Sequence, residues 1–168
     1  MMTDLMAEHL DDELPTGQLE SFLPYQLSIA SNAVSSLIAE RYHKRFALKI
    51  PEWRVIAVLG DAQARGAALT QRSLTEATLM DKVAVNRACK VLEDRGLVAR
   101  APNKDDGRSH FLQLTGEGWA IHEEVMPLAL ATERDLFSDF DAAEQRQFRS
   151  LLTRIRGRAA ELAEKTKD

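Results

Sequence analysis

Residues 69–118, LTQRSLTEATLMDKVAVNRACKVLEDRGLVARAPNKDDGRSHFLQLTGEG, decide the fold. Thr70 is placed to N-cap a short helix that contains Ser73 and Leu74. A second helix is expected from about Asp81 to Arg95. Its apolar positions Val85, Ala88, Cys89 and Leu92 recur at steps of three and four, and Lys82, Asn86, Arg87 and Lys90 point outward. Gly96 stands where a left-handed residue would end it. The period then changes. Leu97–Arg100 and Ser109–Thr115 read as two short strands, joined by a turn-rich tip containing Pro102, Asn103, Asp105, Asp106 and Gly107. Helix, short turn, helix and hairpin in that order make a winged helix-turn-helix.

On the N-terminal side, Pro24 suits the first turn of a helix, because its missing N–H is unpaired there anyway. Apolar residues Leu27, Ala30, Val34, Leu37, Ile38 and Tyr42 carry that helix to about Arg45. Pro51 opens another, with Trp53, Ile56, Ala57 and Leu59 on its apolar face. On the C-terminal side, Thr115 caps a long helix reaching about Pro127, with a continuation to Phe140 left open. Asp141 caps a last helix whose face carries Phe148, Leu151, Leu152 and Ile155. The fold class is therefore mainly α with a small two- or three-stranded β wing, a winged helix-turn-helix plus a helical dimerisation region. Residues 1–20 form an acidic arm and 21–50 a dimerisation helix. Residues 51–118 form the winged DNA-binding domain, and 119–168 the C-terminal dimerisation helices.

Composition sets the outer bounds. The 168 residues are ample for one core with appended helices, and 8 Gly and 5 Pro are too few for a low-complexity chain. A single cysteine excludes an internal disulfide framework. The net charge of −4 argues at first against nucleic acid. It is unevenly placed, however. Residues 1–23 hold six acids and no base, leaving 22 bases against 20 acids in the rest. Between Thr70 and His110 there are eight bases and six acids. The acidic start does not fit a signal peptide, and Ser21–Ala39, although uncharged, is too polar for a membrane span. A cytoplasmic protein with no membrane partner is expected.

An α-helix fits the major groove, where Asn pairs bidentately with adenine and Arg with guanine. Lys82, Asn86, Arg87 and Lys90 offer this chemistry on one helix, with Thr70 and Gln71 beside it. Lys104, Arg108 and Ser109 sit at the hairpin tip, and an Arg on a thin loop suits the negative potential of a narrow minor groove. Any one of these residues alone reads equally well as a solvated surface group. The acids Asp81 and Asp106 count mildly against a DNA face, although Asp106 is placed to hold the Arg108 side chain and shape the turn.

The same stretch resembles the MarR family of bacterial transcriptional regulators. The match is carried by LTQRSLTEAT, by MDKVAVNRACKVLEDRGLVAR and by the wing NKDDGRSHFLQLTGEG, and the flanking helices extend it over most of the chain from Leu23. The resemblance implies a homodimeric repressor on a palindromic double-stranded operator, with Arg108 as the minor-groove arginine and Asp106 as its support. Two departures stand out. Met80–Ala84 lacks the small hydroxyl residues often found at the start of the family's recognition helix, so base contacts there do not carry over. Gly107 replaces a common basic residue, which makes this wing less positive.

The family also implies a small-molecule effector bound between the first two helices and the head. Candidate residues are Ser28, Asn32, Ser35, Trp53 and Arg54, with an aromatic carboxylate or its coenzyme A thioester as ligand. Hydrogen bonds across a dimer interface explain the same serines and asparagine equally well, and a plain surface role fits Arg54. The alternatives are a cysteine-based redox regulator, although Cys89 sits on the apolar side of its helix, and a DNA-binding protein with no ligand. His9, His43, His110 and His122 are too scattered to predict a metal site. No phosphate loop, nucleophile elbow or catalytic pair appears, so neither a catalytic residue nor a cofactor is expected.

Overall fold

The computed structural model describes residues 19–166. Only Leu19 and Glu20 of the acidic arm, in a 3-10 turn over Leu19–Ser21, fall within it; the rest of the arm, with His9, lies outside the described residues. Pro24 occupies the first turn of α1 (Leu23–Phe46), which ends at Ala47 in a left-handed conformation. There the Ala47 N–H returns to the His43 carbonyl at 2.9 Å. The second helix, α2 (Ile50–Ala64), begins with the Lys49 N–H donating to the Glu52 carboxylate at 2.9 Å. It is the most deeply buried helix, with Trp53, Val55, Ile56, Leu59 and Ala62 facing inward.

Thr70 caps α3 (Gln71–Thr78) and Asp81 caps α4 (Lys82–Asp94), each accepting an N–H of the first turn on its side-chain oxygen. Val85, Ala88, Cys89 and Leu92 of α4 are buried, as their spacing predicts. Gly96, at φ +68°, turns the chain into the wing. The sheet has three antiparallel strands in the order β1 (Leu69–Thr70), β3 (His110–Leu114), β2 (Val98–Pro102). Leu69 pairs with Leu112, and Val98 with Leu114. The Gln63 side-chain oxygen accepts the Leu114 N–H at 2.6 Å and so ties α2 to the sheet.

Thr115 caps α5 (Gly116–Leu136). It also donates to the Gly96 carbonyl at 2.7 Å, which locks the end of the wing to the turn that begins it. The helix runs unbroken through Pro127. That residue is exposed, and packing of α5 on α1 and α2 offsets the backbone bond that proline cannot donate. After Asp141, whose carboxylate accepts the N–H groups of Ala143 and Glu144, α6 (Ala142–Lys165) leaves the core altogether: none of its residues is buried. It is anchored at its base by Phe148 against Phe137, ring centroids 5.8 Å apart, and by Arg149 with Glu133 at 3.3 Å. The core itself lies in the head, where α2, α4 and the sheet enclose Ile56, Leu59, Leu92 and Leu112, with Leu74 from α3 and Val125 from α5.

Candidate nucleic-acid interface

The turn between α3 and α4 sets the geometry of the exposed face. Gln71, the first residue of α3, donates from Nε2 to the Asn86 side-chain oxygen at 3.2 Å. This bond orients the Asn86 amide and leaves its N–H donors for another partner. Asp81, counted against a DNA face from the sequence, has a local role: its carboxylate accepts the Ala84 N–H at 2.8 Å and stabilises the first turn of α4. Thr70 has one as well, its hydroxyl accepting the Ser73 N–H at 3.2 Å.

At the wing tip, one expectation is corrected. Asp106 does not hold the Arg108 side chain; its carboxylate accepts the Arg108 backbone N–H at 3.0 Å. The contact spans two residues and is an Asx turn, the shortest closure that an aspartate at this position offers. It fixes the loop and leaves the guanidinium free. Ser109 joins the same turn, accepting from Asn103 at 2.8 Å and donating to the Asp106 carbonyl at 3.3 Å.

A cleft of about 610 Å³ opens between α3 and the wing, with Lys82 at the start of α4 on its edge. It brings together Thr70, Gln71, Lys82, Asp106, Arg108 and Ser109 from the expected set. Arg87 and Lys90 line a separate groove toward the start of α2. Lys90 is 3.3 Å from Asp94, an exposed pair of little strength. Among the described residues, Lys82, Arg87, Lys104 and Arg108 form no ion pair, so their charges face solvent uncompensated. The sequence reading missed six members of the cleft: Arg72, Thr75, Glu76, Arg100, Asn103 and His110. Two are paired cations, Arg72 with Glu76 and Arg100 with Glu93. Arg100, Asn103 and His110 reach the cleft through the sheet, which no local pattern reveals, while Arg72, Thr75 and Glu76 reach it from α3.

The candidate effector residues do not converge in the same way. Ser28 and Asn32 are exposed on α1. Ser35 accepts from the Arg54 guanidinium at 3.1 Å, linking α1 to α2. Trp53 is buried in an aromatic stack with Tyr42 and His122, ring centroids 5.5 and 6.2 Å away. Burial pushes the Cys89 thiol up to about 11, the opposite of what thiolate chemistry needs. Among the described residues no group of three or more His, Cys, Asp or Glu is placed to hold a metal, and no helix is long and apolar enough to cross a membrane.

A family model described as the MarR family matches residues 48–109, the span from the end of α1 to the wing. The HTH-type transcriptional regulator PecS of Dickeya dadantii is 31% identical over 124 residues, covering 73% of this chain and 75% of that protein. The chain belongs to the MarR family. Its winged helix-turn-helix is shared with solved MarR structures. A MarR/EmrR family regulator from Acinetobacter sp. ADP1 superposes with a TM-score of 0.77 at 24% identity, over 85% of this chain and 98% of that one. Staphylococcus aureus MepR, solved as a DNA complex, gives 0.72 at 20% identity, over 82% and 98%. At such identities these two structures speak to the fold.

Proposed function

We propose that this MarR-family regulator is a homodimeric repressor that binds a palindromic operator. It places α4 in the major groove and the β2–β3 wing in the adjacent minor groove. The observation that carries this reading is a set of four cations with no ion pair among the described residues, Lys82 and Arg87 on α4 and Lys104 and Arg108 on the wing, on a surface shaped by Asp81 and Asp106. Asn86, oriented by Gln71, supplies base readout, while Thr70, Lys90 and Ser109 border the surface. Replacing Arg108 by Ala tests the wing: operator affinity is expected to fall at least tenfold at moderate salt, the scale of a lost groove contact. Unchanged binding would sink the assignment. Lys104→Ala is expected to lower the dependence on salt by about one phosphate.

Dimerisation is supported by apolar surface that has no partner among the described residues. Phe22, Leu23, Leu27 and Ile29 on and before α1, and Leu151, Leu152 and Ile155 on α6, are all exposed. A second copy would bury both stripes and link two heads, which raises affinity through effective concentration. Release by a small aromatic acid or its coenzyme A thioester fits the α1–α2 junction, where Arg54 is held by one hydroxyl and keeps donors for a carboxylate. The Arg95 guanidinium donates to the Phe46 and Ala47 carbonyls at 2.6 and 3.1 Å, and so connects the end of α4 to the end of α1. Movement at the helical junction thus has a route to the recognition helix. Thermal melts with a panel of such acids and thioesters test this part, since a ligand that prefers the folded state raises the melting temperature. Constant operator affinity across the panel would favour a ligand-independent DNA-binding protein.

A further inference from the structure

The winged head exposes few large apolar side chains, and two of them, Leu79 at 73% and Val83 at 56%, lie at the N-terminal end of α4. Val83 is the second residue of that helix and lies opposite its buried side. Val83, Arg87 and Lys90 follow one another at steps of four and three and so form one outward stripe, with Asn86 alongside. An orientation that brings Arg87 and Asn86 to base edges must bring Val83 there too. The isopropyl group has no polar atom to offer a phosphate or a base amide. The one apolar group on the floor of the major groove is the C5-methyl of thymine. We propose that Val83 is a specificity residue that packs on the methyl of a thymine in each half-site. This assignment rests on the operator-binding reading above.

The test begins with selection of preferred sites from a random duplex pool by the full chain. Each thymine of the selected half-site is then replaced in turn by deoxyuridine, which lacks only the methyl. One symmetric pair of positions is expected to lose affinity on replacement, roughly fourfold per half-site and ~15-fold for both, the equivalent of one buried methyl at each. In Val83→Ala, replacement at those positions is expected to cost clearly less than in the parent, because alanine keeps only one methyl, while the response to every other base change persists. Val83 is exposed, so the variant should melt as the parent does, which a thermal scan checks. Equal tolerance of deoxyuridine at all positions overturns the proposal, as does a half-site without thymine. So does Val83→Ala keeping the parent's sensitivity. Enrichment of no sequence at all would instead overturn operator binding, and this assignment with it.

Discussion

His122 lies between two indoles, its ring centroid 5.1 Å from Trp119 and 6.2 Å from Trp53. Among the described residues both ring nitrogens are buried without a partner. Desolvation therefore holds its pKa below the ordinary 6.5, against the weaker opposing pull of Glu123 and Asp61. Because the unfolded chain takes up this proton more readily than the folded one, the contribution of neutral His122 is complete above pH 6.5. It is lost as pH falls below that value toward the folded pKa. The melting temperature should drop between pH 7.5 and 5.5, and His122→Phe should flatten that drop while keeping the stack. An identical slope in the variant would assign the effect to other groups. Gly118 is a second tightly constrained position. A Cβ there would overlap the Leu97 carbonyl oxygen, which is backbone and already accepts the Thr115 N–H at 3.0 Å. Gly118→Ala should cost about 1–3 kcal/mol or more, read as a lowered denaturation midpoint. Neither constraint was legible in the sequence, because each joins α5 to an element distant along the chain.

At the scale of elements, the sequence was most legible where a side chain acts on its own backbone. Thr70, Thr115 and Asp141 cap helices as read, because capping needs only a hydroxyl or carboxylate a few residues before an apolar repeat, and Asp81, read only as the first residue of its helix and an acid against a DNA face, turns out to cap α4 by the same rule. The α4 core face and the Gly96 stop follow from equally local rules. Strand β1 was harder to see: two residues show no alternation, and only pairing with Leu112 and Phe111 makes them a strand. The Asp106 carboxylate was correctly placed at the wing but given the wrong partner, since sequence spacing does not separate a backbone N–H from a guanidinium. Asp81 offers a test that splits capping from charge. Serine caps about as well as aspartate, so Asp81→Ser should leave stability nearly unchanged while removing a negative charge from the face toward DNA. Nonspecific DNA binding, followed by fluorescence anisotropy, should tighten at low salt and converge with the parent at high salt. Asp81→Ala removes the same charge but should also lose about 1 kcal/mol of stability with the cap. Failure of the serine variant to bind more tightly would mean that the start of α4 lies away from the phosphates.

For the whole molecule, the unresolved balance lies between a buried head and exposed helices. A helix of 24 residues with no buried side chain, such as α6, is marginal by itself, because helices in proteins draw most of their stability from packing. Yet its stripe of Phe148, Leu151, Leu152, Ile155 and Leu162 recurs at helical steps along almost its full length, as a packed face would. Charge sharpens the need for two heads. The segment from Thr70 to His110 has an excess of only two bases, so a single head would have weak nonspecific attraction, and the proposed dimer would supply the paired site that compensates. Replacing Leu151 and Ile155 together by Glu puts two charges into the proposed intersubunit stripe without touching the head core. The molar mass in solution, by light scattering, should fall from twice 18.8 kDa to 18.8 kDa. The head should still melt cooperatively, since Ile56, Leu59, Leu92 and Leu112 are untouched. Operator affinity should fall by two orders of magnitude or more, the loss expected when the second contact is no longer intramolecular. A variant that stays dimeric would move the interface to α1 alone. One that becomes monomeric yet binds the operator as before would show that a single winged head suffices.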